Sequence, residues 1–485
     1  MRLRITRRDL LKKGVLLASA LAASGRVFLA ASRGLAASVD PAATKKFGAS
    51  LKGGLILPGD KDYESARRVW NWRYDKHPAM VARCASSEDV RRSVEFARKQ
   101  DLRVAVRSGG HSFAGFSTCD EGLVIDLSRM KSVKLDPAKR IARAEPGIQI
   151  AQFDSLTAAA GLAASLGACP DVAIGGLTLG GGNGWLESVY GTACDNLKSV
   201  ELVTADGDLV RADSNERADL FWAMCGAGAN FGVATVLEYR LYPVTTLMFG
   251  AFEYQPSQVR PVLRFLREYA ARAPDELVLA IEIPGRWGDS GMEVTVAYVG
   301  GPQAAAPLIK ELRDATKPTA GEIQPTAYKD TVGTEAPPGG PFSSHRKHGF
   351  FPKLSDAVID AIYESVGTRP SKWSKLDFFF AHGARCRVDP RATAYSLRQI
   401  GFECWAQAYW TDPKDAAKSV AWVDRFWKQN DVHSNGRVYV NYLEDEGEAR
   451  VRAAYGPNYD RLAQIKRKYD PANFFRLNQN IKPAA

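Results

Sequence analysis

The chain has 485 residues, more than one ordinary core holds and enough for two or three domains. It is 45% hydrophobic and 25% charged with no long biased tract, which excludes a disordered or fibrous protein. The formal charge of +11 hints at nucleic acid, but Arg2, Arg4, Arg7, Arg8, Lys12, Lys13, Arg26 and Arg33 against Asp9 put +7 of it within residues 1–37; the remaining +4 is ordinary surface charge, so no nucleic-acid partner is expected.

Thr6-Arg7-Arg8-Asp9-Leu10-Leu11-Lys12 precedes an apolar run over 14–23 and small residues through Ala37, the order of a basic, a short hydrophobic and a cleavable region. The paired arginines resemble a twin-arginine export signal, a route for proteins folded with their cofactor in place, so a periplasmic or secreted protein is expected. The apolar run is shorter than the roughly 20 residues of a spanning helix, and no later segment is long enough, so no stable membrane span is expected. Cys84, Cys119, Cys169, Cys194, Cys225, Cys386 and Cys404 make an odd number, which in an exported protein points to a reactive or modified thiol. Their spacing assigns no pairs, and a chain folded in a reducing cytoplasm need form none.

Residues 79–107 read as strand, helix, strand: Ser86 or Ser87 caps the helix, Glu88 and Asp89 fill its first turn, and Val90, Val94 and Ala97 recur at helical spacing. Strands follow at 123–127, 132–135 and 140–144, the last two joined at Asp136-Pro137, then a glycine-dense stretch over 167–191. A hairpin over 200–211 turns at Asp206-Gly207, and 232–242 reads as a strand. Beyond Pro243, strands (247–254, 278–284, 291–299, 376–380, 402–410) alternate with helices (257–272, 303–315, 355–366, 414–429), which predicts an α+β domain whose sheet is covered on one face. The loop over 331–348, rich in Pro, Gly and His, is the expected mobile segment, and the tail holds Tyr439-Val440-Asn441-Tyr442 and a helical pattern that stops at Asp470-Pro471.

Two stretches carry the chemistry. In Arg107-Ser108-Gly109-Gly110-His111-Ser112 a strand runs into paired glycines, so backbone N–H groups can converge on a pyrophosphate with His111 at the lip. From Cys169-Pro170-Asp171-Val172 the chain runs on through Gly175, Gly176, Gly180, Gly181, Gly182 and Gly184, and so many glycines among buried aliphatics imply close approach to a large planar or phosphorylated ligand.

Both stretches resemble the berberine-bridge-enzyme-like oxidases of the vanillyl-alcohol-oxidase superfamily. The signatures are Arg-Ser-Gly-Gly-His-Ser at 107–112 and Gly-Ala-Cys-Pro at 167–170, supported by Leu-Thr-Leu-Gly-Gly-Gly at 177–182, Asn-Phe-Gly-Val at 230–233 and the run 470–476. The resemblance implies a two-part PCMH-type FAD-binding domain (40–245 with the C-terminal segment 435–485) and an α+β substrate domain with an antiparallel sheet (246–434). It implies FAD bonded to His111 at the flavin 8α carbon and to Cys169 at C6, in a site formed by Arg107, Ser108, Gly109, Gly110, Ser112, Gly175, Gly176, Gly180, Gly181 and Val233, with Asn478 and Asn480 closing it from the tail. Val172 matches the family's oxygen-gate position, where valine accompanies reaction with molecular oxygen. Tyr442, with Tyr439 as its neighbour, matches the tyrosine that takes the substrate proton while hydride passes to the flavin.

The expected function is therefore an FAD-dependent oxidase that removes hydride from a hydroxyl-bearing small molecule or oligosaccharide and releases hydrogen peroxide; the alternative is a flavin-binding sensor or carrier without turnover. Trp405, Tyr409, Trp410, Trp422 and Trp427 are candidates to stack on a substrate ring. Other motifs fail. The run 110–114 resembles a nucleophile elbow around Ser112 but ends in Ala114; the glycines at 226 and 228 lack a dinucleotide fold's opening strand; and His345 and His348 sit in the loop without a carboxylate partner, so no metal is expected.

Overall fold

The computed structural model describes residues 39–284, 291–333 and 341–485; the segment 1–37, expected to be an export signal, lies outside the described residues. Residues Met1–Lys46 form one unit and Phe47–Ala485 a second. The described part of the first opens helix Pro41–Ser50, and everything below belongs to the second.

Among the described residues the strands make three sheets. The first holds β1 (Leu55–Ile56), β2 (Met80–Arg83), β3 (Val104–Arg107) and β4 (Leu123–Asp126) in the order β1-β2-β4-β3, with β2, β4 and β3 parallel. The helix Ser87–Lys99 crosses from β2 to β3: Ser86 Oγ accepts the Asp89 N–H, and Val90, Val94 and Ala97 are buried as their spacing requires. Such a cap stabilises a helix by about 1 kcal/mol. The second sheet is β5 (Val133–Asp136), β6 (Ile141–Ala144), β7 (Leu197–Val203), β8 (Leu209–Asp213) and β9 (Val233–Arg240), antiparallel in the order β5-β6-β9-β7-β8. Its β7–β8 hairpin turns at Asp206-Gly207, where Gly207 adopts a φ of +89° that favours glycine.

The third sheet holds β10 (Thr246–Tyr254), β11 (Leu277–Ile283), β12 (Met292–Tyr298), β13 (Ile323–Ala327), β14 (Ser343–Phe351), β15 (Lys375–Ala381) and β16 (Gly401–Trp410), wholly antiparallel in the order β13-β10-β12-β11-β15-β16-β14. Helices Val259–Ala270, Pro302–Thr316, Asp356–Gly367 and Ala416–Asn430 bury their apolar sides against one face, as the sequence predicts. Alternation fixes which side chains point there: Leu376, Phe378 and Phe380 of β15 and Phe402, Cys404 and Ala406 of β16 enter this core, leaving the residues between them for the opposite face.

The loop expected over 331–348 is corrected. Its last part is the start of β14, an edge strand in register with β16 from Ser343↔Trp410 to Phe351↔Phe402; residues 334–340 lie outside the described residues. The strand is hidden in the sequence because its buried side chains include charged and polar ones, Arg346 and His348, so it shows no apolar pattern. Other elements absent from the sequence reading are β13 and the helices Ile150–Ala158, Ile174–Leu179 and Ala218–Ala227, the second lying inside the glycine-dense stretch. The tail closes on the second sheet's side of the molecule. Lys466, fully buried, donates to Asn230 O at 2.6 Å, to Asp470 Oδ2 at 2.7 Å and to Phe475 O at 2.9 Å, and Ile481 N–H donates to Asn230 Oδ1 at 2.9 Å.

Candidate active site

A cavity of about 710 Å³ opens between the glycine-rich loops and the helix-free face of the third sheet, within the usual range for small-molecule sites. Ser108, Gly109, Gly110, His111 and Ser112 line it where β3 ends. The loop lies flat on the start of helix Ile174–Leu179. A Cβ on Gly175 would stand 2.6 Å from Ser108 Oγ and 2.7 Å from Pro146 Cβ, so only glycine permits the approach. Ser112 Oγ accepts the Phe116 N–H at 3.2 Å and so fastens the loop's exit.

Cys169, Val172, Gly175, Gly176 and Gly180 line the same cavity, as do Val233 and Asn478. His111 and Cys169, 58 positions apart in sequence, meet at one carboxylate: His111 Nε2 stands 3.4 Å from Asp171 Oδ2, and Cys169 Sγ donates to Asp171 Oδ1 at 3.2 Å. The hydrogen bond from His111 holds the Asp171 carboxyl down to about 2, against the effect of burial. The other six cysteines carry free thiols, and burial pushes those of Cys84 and Cys194 up to about 12, which makes them inert.

Two residues expected at the cofactor stand off the cavity lining. The Arg107 guanidinium is spent on Asp126 Oδ2 (2.7 Å) and on the carbonyls of Ala66 and Arg68, so it secures the strand end and does not line the cavity. Gly181 likewise stands off the lining; a Cβ there would lie 2.6 Å from the Tyr395 ring, so its role is to let Tyr395 pack.

The tyrosines frame a single 3₁₀ turn, Val440–Tyr442, with Tyr439 as its N-cap and Tyr442 as its last residue, and neither lies on a strand. Tyr439 is buried; its hydroxyl accepts the Gly182 N–H at 2.7 Å and Asn441 Nδ2 at 2.8 Å, and burial raises its pKa. Tyr442 is half-buried and lines the cavity, its ring centroid 4.8 Å from Tyr439, 5.0 Å from Trp405 and 5.3 Å from His348. The Arg346 guanidinium lies 3.5 Å from the Phe113 ring centroid and 5.5 Å from that of Tyr442, within the reach of a cation–π attraction.

His345 and His348 are on β14 and each faces a carboxylate, which corrects the expectation that they had none. His345 Nδ1 is 2.8 Å from Glu444 Oε2, and His348 Nε2 is 3.6 Å from Glu403 Oε2. The His348 Nδ1 atom accepts the Tyr439 N–H at 3.1 Å, and burial lowers its pKa, so its proton belongs on Nε2. Glu403 is also paired with Arg385, which reaches Glu187 Oε1 at 2.6 Å; all three are buried.

The third sheet's open face carries polar residues without evident sequence motif: Glu282, Glu293, Lys375, Asp377, Trp405 and Gln407 all line the cavity. Lys375 Nζ bridges Glu282 Oε2 at 2.7 Å and Asp377 Oδ1 at 3.2 Å, while Glu282 Oε1, Asp377 Oδ2 and Gln407 Nε2 are buried without a partner among the described residues. The one readable signal is polar alternation within apolar strands, Lys375-Leu376-Asp377 and Glu403-Cys404-Trp405-Ala406-Gln407. Of the five aromatic candidates Trp405 faces the cavity, whereas Tyr409, Trp410, Trp422 and Trp427 are buried away from its lining.

The lining suits a flavin dinucleotide. Among the described residues Gly176 has no atom within 4 Å of where its Cβ would stand, which leaves backbone open to a planar group, and Asn478 Oδ1, in the lining, is a buried acceptor without a partner, as is Asn480 Oδ1 two residues on.

Residues 78–213 match the family model described as FAD binding domain, and residues 438–482 match the one described as Berberine and berberine like. The (R)-6-hydroxynicotine oxidase of Paenarthrobacter nicotinovorans is 31% identical, over 90% of this chain and 97% of its own. A carbohydrate oxidase of Microdochium nivale is 27% identical over 88% and 92%. The crystal structure of 6-hydroxy-D-nicotine oxidase from Arthrobacter nicotinovorans superposes with a TM-score of 0.79 at 29% identity, covering 90% of this chain and 99% of that one.

Proposed function

Because the chain belongs to the berberine-like FAD-linked oxidoreductases, an enzyme family, we propose that it is an oxidase that holds FAD through His111 and Cys169, takes hydride from a hydroxyl-bearing small molecule or oligosaccharide, and gives the electrons to molecular oxygen as hydrogen peroxide. The observation that carries this reading is the convergence of His111, Cys169 and Tyr442 on one cavity from three distant parts of the sequence.

In this reading FAD, when bound, would supply the hydride acceptor. Tyr442 takes the hydroxyl proton of the substrate, Asn441 and Tyr439 hold the turn that aims it, and Val172 lies by the Cys169 attachment, at the oxygen gate. The buried acceptors Glu282 Oε1 and Asp377 Oδ2 and the donor Gln407 Nε2 match a ligand with several hydroxyl groups, and Trp405 offers its ring face. The names of the two relatives, acting on a hydroxylated alkaloid and on carbohydrate, support a polar ring substrate. Residues 40–245 and 435–485 would bind the cofactor, residues 246–434 would roof it, and the leader 1–37 would carry the folded protein out of the cytoplasm. No helix among the described residues is long and apolar enough to cross a membrane.

The test is peroxide release from purified protein across sugars, alcohols and amines, with flavin retention after acid precipitation measured in parallel. Peroxide formed from a hydroxylated substrate, with flavin kept in the pellet, is the expected result. Substrate that bleaches the flavin under nitrogen but yields no peroxide in air would make the protein a dehydrogenase.

A further inference from the structure

Asp171 is tied to both candidate attachment residues and is held in place by its backbone. Gln149 Nε2 donates to Asp171 O at 3.0 Å, Ile150 N–H to Val172 O at 3.0 Å and Ala151 N–H to Pro170 O at 3.1 Å, so the start of helix Ile150–Ala158 clamps the 170–172 turn. The side chain then has one oxygen 3.2 Å from Cys169 Sγ and the other 3.4 Å from His111 Nε2.

We infer that Asp171 is the positioning residue and proton acceptor for both flavin attachments, an inference that rests on the covalent reading above. By binding the Nε2–H of His111 it fixes the tautomer, leaving the Nδ1 lone pair as the nucleophile. By accepting from Cys169 it orients the thiol and takes its proton as the sulfur bonds. The balance is the same at each site: the side chain gives up one proton (from Nε2 of His111 or from Sγ of Cys169), the flavin carbon gives up one hydrogen, a new N–C or S–C bond forms, and the electron pair left on the ring passes to molecular oxygen, which leaves as hydrogen peroxide. Asp171 hands each proton on to solvent through its half-exposed carboxylate.

The experiment compares wild type with Asp171→Asn, Asp171→Ala and Asp171→Glu, all produced with ample riboflavin. Total flavin is read from the visible spectrum of the native protein, and linked flavin from mass spectrometry of protease digests, which finds the flavin joining the His111 and Cys169 peptides. Wild type should give the doubly joined peptide pair. Asp171→Asn and Asp171→Ala should keep native flavin within twofold yet lose at least tenfold of the joined pair, and Asp171→Glu should fall between. A merely structural role would lower bound and linked flavin together. Full linkage in Asp171→Asn, or parallel loss of bound and linked flavin in every variant, would overturn the assignment. Flavin that leaves wild type in acid would overturn the covalent reading, and this one with it.

Discussion

His348 accepts the backbone N–H of Tyr439 at Nδ1, 3.1 Å away, from the middle of the edge strand β14. Its other nitrogen faces Glu403, which Arg385 holds, so the turn bearing Tyr442 is referenced to a buried ionic cluster and not to the surface. That arrangement keeps the tyrosine at a fixed height over the cavity, and it makes the side chain's hydroxyl separable from its packing.

Tyr442→Phe should therefore bind flavin as wild type does and reduce it slowly. Removing a general base costs about 10²–10⁴-fold in rate, so anaerobic flavin reduction followed by stopped flow should slow by that order. An unchanged rate would remove Tyr442 from the chemistry.

Arg385→Met should destabilise the protein strongly. The substitution leaves Glu187 and Glu403 buried without their cation, and breaking one side of such a cluster costs about 3–5 kcal/mol. Urea unfolding followed by tryptophan fluorescence would register the loss as a lower midpoint at unchanged slope.

Burial raises the Asp377 carboxyl to about 7, against a value of about 3.9 in an unfolded chain. Between those values the folded protein keeps a proton that the unfolded chain releases, so this residue's contribution to stability is present below about pH 4 and is lost as pH rises toward 7. Asp377→Asn should flatten that part of the profile; unfolding free energies at pH 5 and pH 7 should differ less in the variant than in wild type. A larger difference in the variant would contradict the assignment.

Gly175→Ala places a methyl group into Ser108 Oγ and Pro146. Overpacking of that kind costs about 1–3 kcal/mol, and here it also lifts the 108–112 loop from its bed. Flavin content per chain should drop severalfold, while Gly176→Ala, which meets no neighbour within 4 Å, should leave the fold's melting temperature unchanged and affect flavin alone.

The elements legible in the sequence were those whose pattern and environment agree. Helix Ser87–Lys99 has its cap, acidic first turn and apolar stripe, and β15 and β16 show plain alternation between core and cavity. The glycine-rich loops that line the cavity were legible because glycine there serves close approach, which composition reveals directly. Other parts depend on partners far away in sequence. Arg107 looks like an anion ligand until Asp126 is found beside it, β14 reads as loop because its buried side chains include Arg346 and His348, and Asp171 is one acid among many until His111 folds onto it. Charge inside a fold is intelligible only with its counter-charge, and spacing does not supply that.

The seating of Lys466 beneath Asn230 spans 236 positions. Asn230 lines the cavity, so this part of its wall exists only once two remote stretches of the polypeptide have met. A chain lacking the later stretch would keep every glycine of the cradle and still want a side to its vessel.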